Sequence, residues 1–418
     1  MAMRILISGA SIAGPVLAYW LTRYGFEVTV VERAPTLRKT GGHAVDLFRP
    51  AMEISAKMGV LPRIEDLATG TTRLTLYREG RPQPSRIDLT KIYAASSDRH
   101  VEIMRDDLSE VYYDAARDDV EYLFGDSITA IEPDGTVTFE HCAPRTFDVI
   151  VGADGLHSNV RRLTFGDEAG LTRFLGGYLS VVSAPKTLVG PGEMVGHVGV
   201  GRFAGIYTAD HLDDARAVFL FRSAAELAYD HRDTARQKEL LREAFAGMHD
   251  EVDGWLAETE RTPTFYFDSI TQLRTDRWSR RRVTLVGDAG YCPGPAVGGS
   301  TSLAVLGAYV LAGELARADG DHLLRLRRLR TADARIGAAQ PILCPRRRPR
   351  RHSRFPRRGV GVNPWRPTGL GDADVVGPGA GQAQHQGRPD ARFDAGARLR
   401  RQRRLTTWCA TKGDRSWN

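Results

Sequence analysis

At 418 residues, 42% of them hydrophobic, the chain is long enough to bury a large core in two domains and offers no long apolar stretch of membrane-spanning type. Its net charge of +7 is carried by one end: residues 341–418 hold 18 Lys and Arg against 5 Asp and Glu, which leaves 40 against 46, a net of −6, for the first 340 residues. The basic balance therefore gives no reason to expect a nucleic-acid-binding body. Cys142, Cys292, Cys344 and Cys409 are scattered without metal-ligand spacing and suit a reduced, cytoplasmic location.

The first thirty-three residues read as one βαβ unit. Arg4 to Ser8 are a short apolar strand, Gly9 to Gly14 a tight turn, Pro15 to Tyr24 a helix, and Glu27 to Val31 a second strand ending at Glu32. The turn Gly9-Ala10-Ser11-Ile12-Ala13-Gly14 follows the dinucleotide-binding pattern, with Ser11 where a second glycine is commoner. Gly9 permits the sharp exit from the strand, Gly14 lets the helix pack close to the sheet, and small Ser11 leaves room for a pyrophosphate over the helix N-terminus. Glu32 is placed to accept hydrogen bonds from an adenosine ribose and would repel a phosphate there, which points to FAD or NAD rather than NADP as the bound nucleotide. Glycines, serines and a proline interrupt the apolar run from Ile5 to Leu21, so it is not a membrane span.

Past Arg33, the basic loop containing Arg38, Lys39 and His43 leads to a strand around Asp46, and Met52 to Gly59 read as a helix. Leu74 to Tyr77 and Ile87 to Tyr93 flank a turn-rich EGRPQPS and read as a hairpin of a second sheet. His100 to Leu108 run from a strand into a helix opened by Arg105. Strand-like stretches follow at 119–124, 127–131 and 136–140, and the buried run 147–151 ends in GADGLHSNVRR, which puts Asp154 and Gly155 at a strand's carboxyl end, where α/β folds bind ligands.

Between Asp167 and Thr271 short apolar stretches at 177–183, 194–200 and 217–222, then helices near 236–248 and 252–258, suggest an antiparallel sheet with helical cover. Phe265, Tyr266 and Phe267 are expected mainly in core packing, with pocket lining as the alternative. The nucleotide pattern then returns: strand 282–286, Asp288 at its end, and YCPGPAVGGSTSLA running through Pro295, Gly298 and Gly299 into an apolar helix from Thr301 to Ala316.

GASIAG with Glu32-Arg33, GADGLHSNVRR and VGDAGYCPGPAVGGSTSLA together resemble the FAD-dependent aromatic hydroxylases of the p-hydroxybenzoate hydroxylase type, including the tetracycline-inactivating monooxygenases, over residues 3–320. The resemblance implies an α/β protein with a discontinuous Rossmann-like FAD-binding domain (1–72, 101–166 and 272–320) and a mostly antiparallel substrate domain (73–100 and 167–271). It implies FAD as cofactor and NADPH or NADH as cosubstrate. Oxygen would be transferred through a flavin hydroperoxide to an aromatic or polyketide-type small molecule. Gly9, Ser11, Ile12, Ala13, Gly14, Glu32, Arg33, Asp46, Arg105, Asp154, Gly155, Asp288, Pro295, Gly298 and Gly299 would hold the cofactor, and Arg38 matches an arginine used with NADPH. No metal, membrane or nucleic-acid partner is implied. Neither a catalytic base nor an oligomeric state can be read, and an FAD-dependent oxidase or dehydrogenase, or a flavin-binding protein without turnover, stays an alternative.

One segment departs from the resemblance. From about residue 321 the sequence is rich in Arg, Pro and Gly, has no glutamate after Glu314 and only Lys412 among later lysines, and lacks hydrophobic periodicity, so disorder is expected for 321–418. Arginine without lysine fits an alternative reading frame of a GC-rich gene better than the rival, a basic nucleic-acid-binding arm.

Overall fold

The apolar runs that alternate faces at a period of two build the central sheet. In the computed structural model, which describes residues 2–37, 42–96, 99–166, 170–230, 233–262, 264–275, 277–294 and 299–317, this sheet has six strands. Their order is Ser279–Arg280, Val283–Leu285, Val149–Gly152, Arg4–Ser8, Glu27–Glu32 and Glu121–Phe124, all parallel except the first. Ile5, Ile7, Val149 and Val151 face one layer of core, and Leu6 and Ile150 the other. Burial on both faces is why these strands read as continuous apolar runs. The helices Ala13–Arg23, Arg105–Ala116 and Ser300–Ala316 cover the first face, and the helix Asn159–Phe165 with a three-stranded sheet (Ile128–Ile131, Thr136–Phe139, Arg145–Thr146) covers the second.

A seven-stranded sheet follows a different rule. Its order is Phe265–Leu273, Thr172–Pro185, Asp214–Arg222, Arg202–Tyr207, Glu193–Gly199, Arg73–Arg78 and Ser85–Asp88, antiparallel throughout except where Glu193–Gly199 meets Arg73–Arg78. The helices Thr234–Phe245 and Asp250–Ala257 pack on one face through Leu240, Leu241, Phe245, Val252, Trp255 and Leu256. Between the two sheets runs a two-stranded ribbon, Ala44–Phe48 against His100–Met104.

Several expectations need correction. The first helix begins at Ala13, so Pro15 sits within its first turn, and the next begins at Arg49 with Pro50 near its start. Only the first part of 87–93 is strand: the Asp88 carboxylate accepts a hydrogen bond from Thr90 N and turns Leu89–Ser96 into a helix. Arg202–Tyr207 and Phe265–Leu273 are strands that the sequence pattern did not reveal. Phe267 is core, whereas Tyr266 is only half-buried. The segment expected to be disordered, 321–418, lies outside the described residues. Among the described residues no helix is long and apolar enough to cross a membrane.

One carboxylate fixes the three-stranded layer. Asp126, 3% exposed, accepts from the backbone N–H of Ser127, Glu140, His141 and Cys142 at 2.7–3.0 Å. Burial acts to raise its pKa, but the Cys142 thiol and the ring of amides outweigh burial and hold it down to about 2. A folded-state pKa below the unfolded value contributes stability at pH above about 4 that is lost as pH falls toward the folded value. Asp126→Asn is therefore expected to cost about 2 kcal/mol at neutral pH. It should also flatten the fall in stability between pH 4 and pH 2, as read from urea midpoints across that range.

Candidate cofactor site

The geometry begins at the end of the first strand. Gly9 has φ +108°, and its N–H donates to Val31 O at 2.8 Å. A Cβ on Gly9 would lie 2.5 Å from Ala153 O, and one on Gly14 would lie 1.9 Å from Gly9 O. Gly287, with φ +66°, packs against Ala13, where an added Cβ would meet the Ala13 Cβ at 3.2 Å. These contacts bring the three sequence motifs to one place, the carboxyl ends of three neighbouring parallel strands. Ile12 and Ala13 are buried there, and no side chain caps the helix Ala13–Arg23, whose first amides have no partner within the helix.

Charged groups are arranged around this turn. Glu32 accepts from Ala10 N and from Ala34 N, both at 2.9 Å, which ties the glycine turn to the segment beyond the second strand. Each oxygen keeps a lone pair for a further donor. The Arg105 guanidinium donates to Ser11 Oγ at 3.3 Å, and its backbone N–H donates to His43 O at 3.1 Å. Ser109 Oγ donates to Ser11 O at 3.1 Å, so the start of the helix Arg105–Ala116 clasps the turn.

Asp288, at the start of the short helix Asp288–Tyr291, is half-buried. Burial raises its pKa, and Arg105 opposes that shift. His43 is pushed down to about 4, first by burial and then by the Arg105 charge, with Asp46 acting the other way, so its imidazole is neutral at neutral pH. Its ring lies 5.8 Å from that of Tyr266, whose hydroxyl burial pushes upward. Gly299, with φ +81°, stands at the N-cap of Ser300–Ala316, where again no side chain caps the helix.

The remaining sequence candidates are placed less directly. Asp154 turns both oxygens inward, one accepting from Ser158 Oγ and the other from Val160 N at 3.0 Å, and so supports the start of Asn159–Phe165. Gly155, with φ +81°, has open space where a Cβ would stand, and Arg33 is exposed. Arg38, Pro295 and Gly298 lie outside the described residues. Asp46 pairs with His100 Nε2 at 2.6 Å, and His100 stacks on Tyr93 at 4.3 Å between ring centroids.

That pairing belongs to a cluster the sequence reading missed. Glu102 lies opposite Asp46 in register, bonds Thr69 Oγ1, and accepts from the Tyr93 hydroxyl at 3.4 Å. The Tyr207 hydroxyl oxygen accepts from Ala44 N at 2.7 Å. The signal was the alternation in HVEIM: Val101 and Ile103 enter the core, leaving His100 and Glu102 on the opposite side.

The close approach at Gly14 can be checked without any ligand. Gly14→Ala is expected to lower stability by about 1–3 kcal/mol through backbone displacement. Gly25→Ala, at φ +81° with open space around it, carries only conformational strain. Urea unfolding of the two variants should therefore give the lower midpoint for Gly14→Ala.

Residues 2–322 match the family described as FAD binding domain. An uncharacterized protein of Mycobacterium tuberculosis is 42% identical over 329 residues, covering 77% of this chain and 87% of the relative. A flavin-dependent monooxygenase of Legionella longbeachae is 34% identical over 328 residues, covering 77% of this chain and 82% of the relative. The crystal structure of the tetracycline destructase Tet(51) is similar at 32% identity with a TM-score of 0.71, over 81% of this chain and 89% of that one. With the glycine turn, the Arg105 clasp and the strand-end Asp288 meeting at one point, the chain belongs to the FAD-dependent aromatic hydroxylase-type family of flavin-dependent monooxygenases.

Proposed function

We propose that this chain binds FAD where its three motifs meet and uses NADPH or NADH and O2 to hydroxylate an aromatic or polyketide-type small molecule. The observation that carries the reading is the convergence of Gly9, Gly14, Gly287 and Arg105 on an uncapped helix N-terminus. That cradle fits a pyrophosphate: backbone replaces side chains where the group must approach closely, and a guanidinium stands beside it.

In this proposal the amides of Ile12, Ala13 and Gly14, with Ser11 and Arg105, hold the pyrophosphate. Glu32 takes the ribose, and Arg33 the adenine end. Asp288 bonds the ribityl chain, and Gly299 lies beside the isoalloxazine. Asp46 stands near the ring through its strand, Asp154 and Gly155 shape the neighbouring strand end, and Arg38 serves the electron donor. When bound, FAD supplies electron transfer from the nicotinamide to O2 and delivery of one oxygen atom to the substrate. The chain's own work is orientation, exclusion of water and control of charge: neutral His43 can exchange a hydrogen bond without adding charge to a deep site.

The chain divides, on this reading, into an FAD-binding domain (1–72, 101–166 and 272–320) and a substrate domain (73–100 and 167–271). Similarity to a tetracycline destructase supports a fused-ring substrate, since the antiparallel sheet can present a broad surface over the ring end.

Two experiments test this. Purified protein, reconstituted with FAD if necessary, should show a flavin spectrum. A panel of phenols, quinolones and tetracyclines should contain a compound that stimulates NADPH or NADH consumption and gains one oxygen atom by mass. Flavin binding with turnover but no oxygen in the product would replace the monooxygenase with an oxidase or dehydrogenase, and failure to bind flavin would remove the proposal. Arg105→Ala should weaken FAD retention by about ten- to a hundredfold in Kd, the loss expected for a charge-assisted bond. An unchanged Kd would remove Arg105 from the cofactor site.

A further inference from the structure

We propose that His197, His249 and Glu251 form a binding site for a divalent cation of zinc type on the helix-covered face of the seven-stranded sheet, apart from the cofactor site. One ligand atom from each lies within 4.8 Å of the others. His197 Nε2 is 2.7 Å from Glu251 Oε2, and His249 Nδ1 is 3.9 Å from the same oxygen. Two imidazoles and one carboxylate are a ligand set that suits zinc, whose bonds of about 2.1 Å at tetrahedral angles space ligand atoms roughly 3.4 Å apart. The observed spacings bracket that value, so small side-chain rotations bring the three to one ion.

The anchoring ligand is held before any ion arrives. His197 lies on the strand Glu193–Gly199, opposite Ala204 and Tyr77 in register, and is only 3% exposed. Tyr77 stacks on its ring at 5.1 Å with 14° between planes, and Trp255 meets it edge-on at 5.5 Å. His249 stands at 4.1 Å, tilted by 33°. The His249 and Glu251 side chains are 47% and 55% exposed, which leaves an entry path and room for a water as fourth ligand. Binding through Nε2 moves the remaining ring proton to Nδ1.

Charge also favours a cation. His249 is the N-cap of the helix Asp250–Ala257, and a helix N-terminus repels positive charge. Here its first turn carries Asp250, Glu251 and Asp253, which offset that repulsion. One competitor is local: His249 Nδ1 accepts from Glu251 N at 3.2 Å, so an ion on Nδ1 displaces a helix-capping bond. An ion that binds there would pin the helix to the hairpin formed by Glu193–Gly199 and Arg202–Tyr207.

The test uses the full chain without an affinity tag, washed with chelator and loaded with FAD, titrated with Zn2+ by calorimetry and with Co2+ by visible absorption. One ion per chain and tetrahedral cobalt bands are expected. Glu251→Gln and His249→Asn should each lose at least tenfold in Zn2+ affinity with the flavin spectrum unchanged. Because Asn also caps helices well, loss in His249→Asn reports a missing ligand and not a missing cap. No uptake by the parent chain, or equal stoichiometry and affinity in both variants, would overturn the site.

Discussion

The turn from Gly9 to Gly14 leaves no space for a side chain at either end, because the Gly9 carbonyl stands where a Cβ of residue 14 would be and Ala153 O where a Cβ of residue 9 would be. That double contact lets the helix Ala13–Arg23 settle directly on the parallel sheet and bury Val16, Leu17 and Leu21 in the same core as Ile5 and Ile7. It also draws in the segment at Gly287, which packs on Ala13. Three stretches far apart in sequence thus share one point through missing side chains. A larger residue at any of these glycines would push a strand end away from its neighbours, and the amides of the helix start would no longer face the same space.

Arg105 sets the electrostatics of that point. Its charge opposes the burial that raises Asp288 and reinforces the burial that lowers His43, so a single guanidinium favours both an ionised acid and an uncharged imidazole. Its own position is fixed at both ends, through its backbone bond to His43 O and its side-chain bond to Ser11 Oγ. Position and charge therefore come from the same residue.

The parallel half was legible because burial on two faces leaves continuous apolar runs, as in Arg4–Ser8 and Val149–Gly152, and because its turns demand glycine. The antiparallel half was less so. GRFAGIY mixes glycine with apolar residues and shows no clean alternation, yet Arg202–Tyr207 pairs on both sides. Asp88 and Thr90 carried a capping signal that a hairpin reading overrode. Asp154 reads as a site residue from its position after a strand, while its hydrogen bonds to Ser158 and Val160 depend on a local turn that the apolar pattern does not encode. His100 and Glu102 escaped for a related reason: alternation shows which side they leave the core on, not what they meet there.

What they meet explains how the ribbon between the sheets is held. Asp46 and Glu102 face each other in register, an arrangement that like charge disfavours. His100 relieves it from one side, and Thr69 and Tyr93 bond Glu102 from the other. Burial, opposed by the Thr69 bond, leaves the Glu102 pKa raised, so this carboxyl takes up a proton more readily than an exposed one and the repulsion falls further. The ribbon is then tied outward on both sides. Ser302 Oγ bonds Asp46 O and Phe48 N at the start of the helix Ser300–Ala316, while Ala44 N bonds the Tyr207 hydroxyl on the seven-stranded sheet. A strap anchored to both sheets fixes the spacing between them through ordered strands. The spacing of the two sheets is therefore set in part by this hydrogen-bonded cluster.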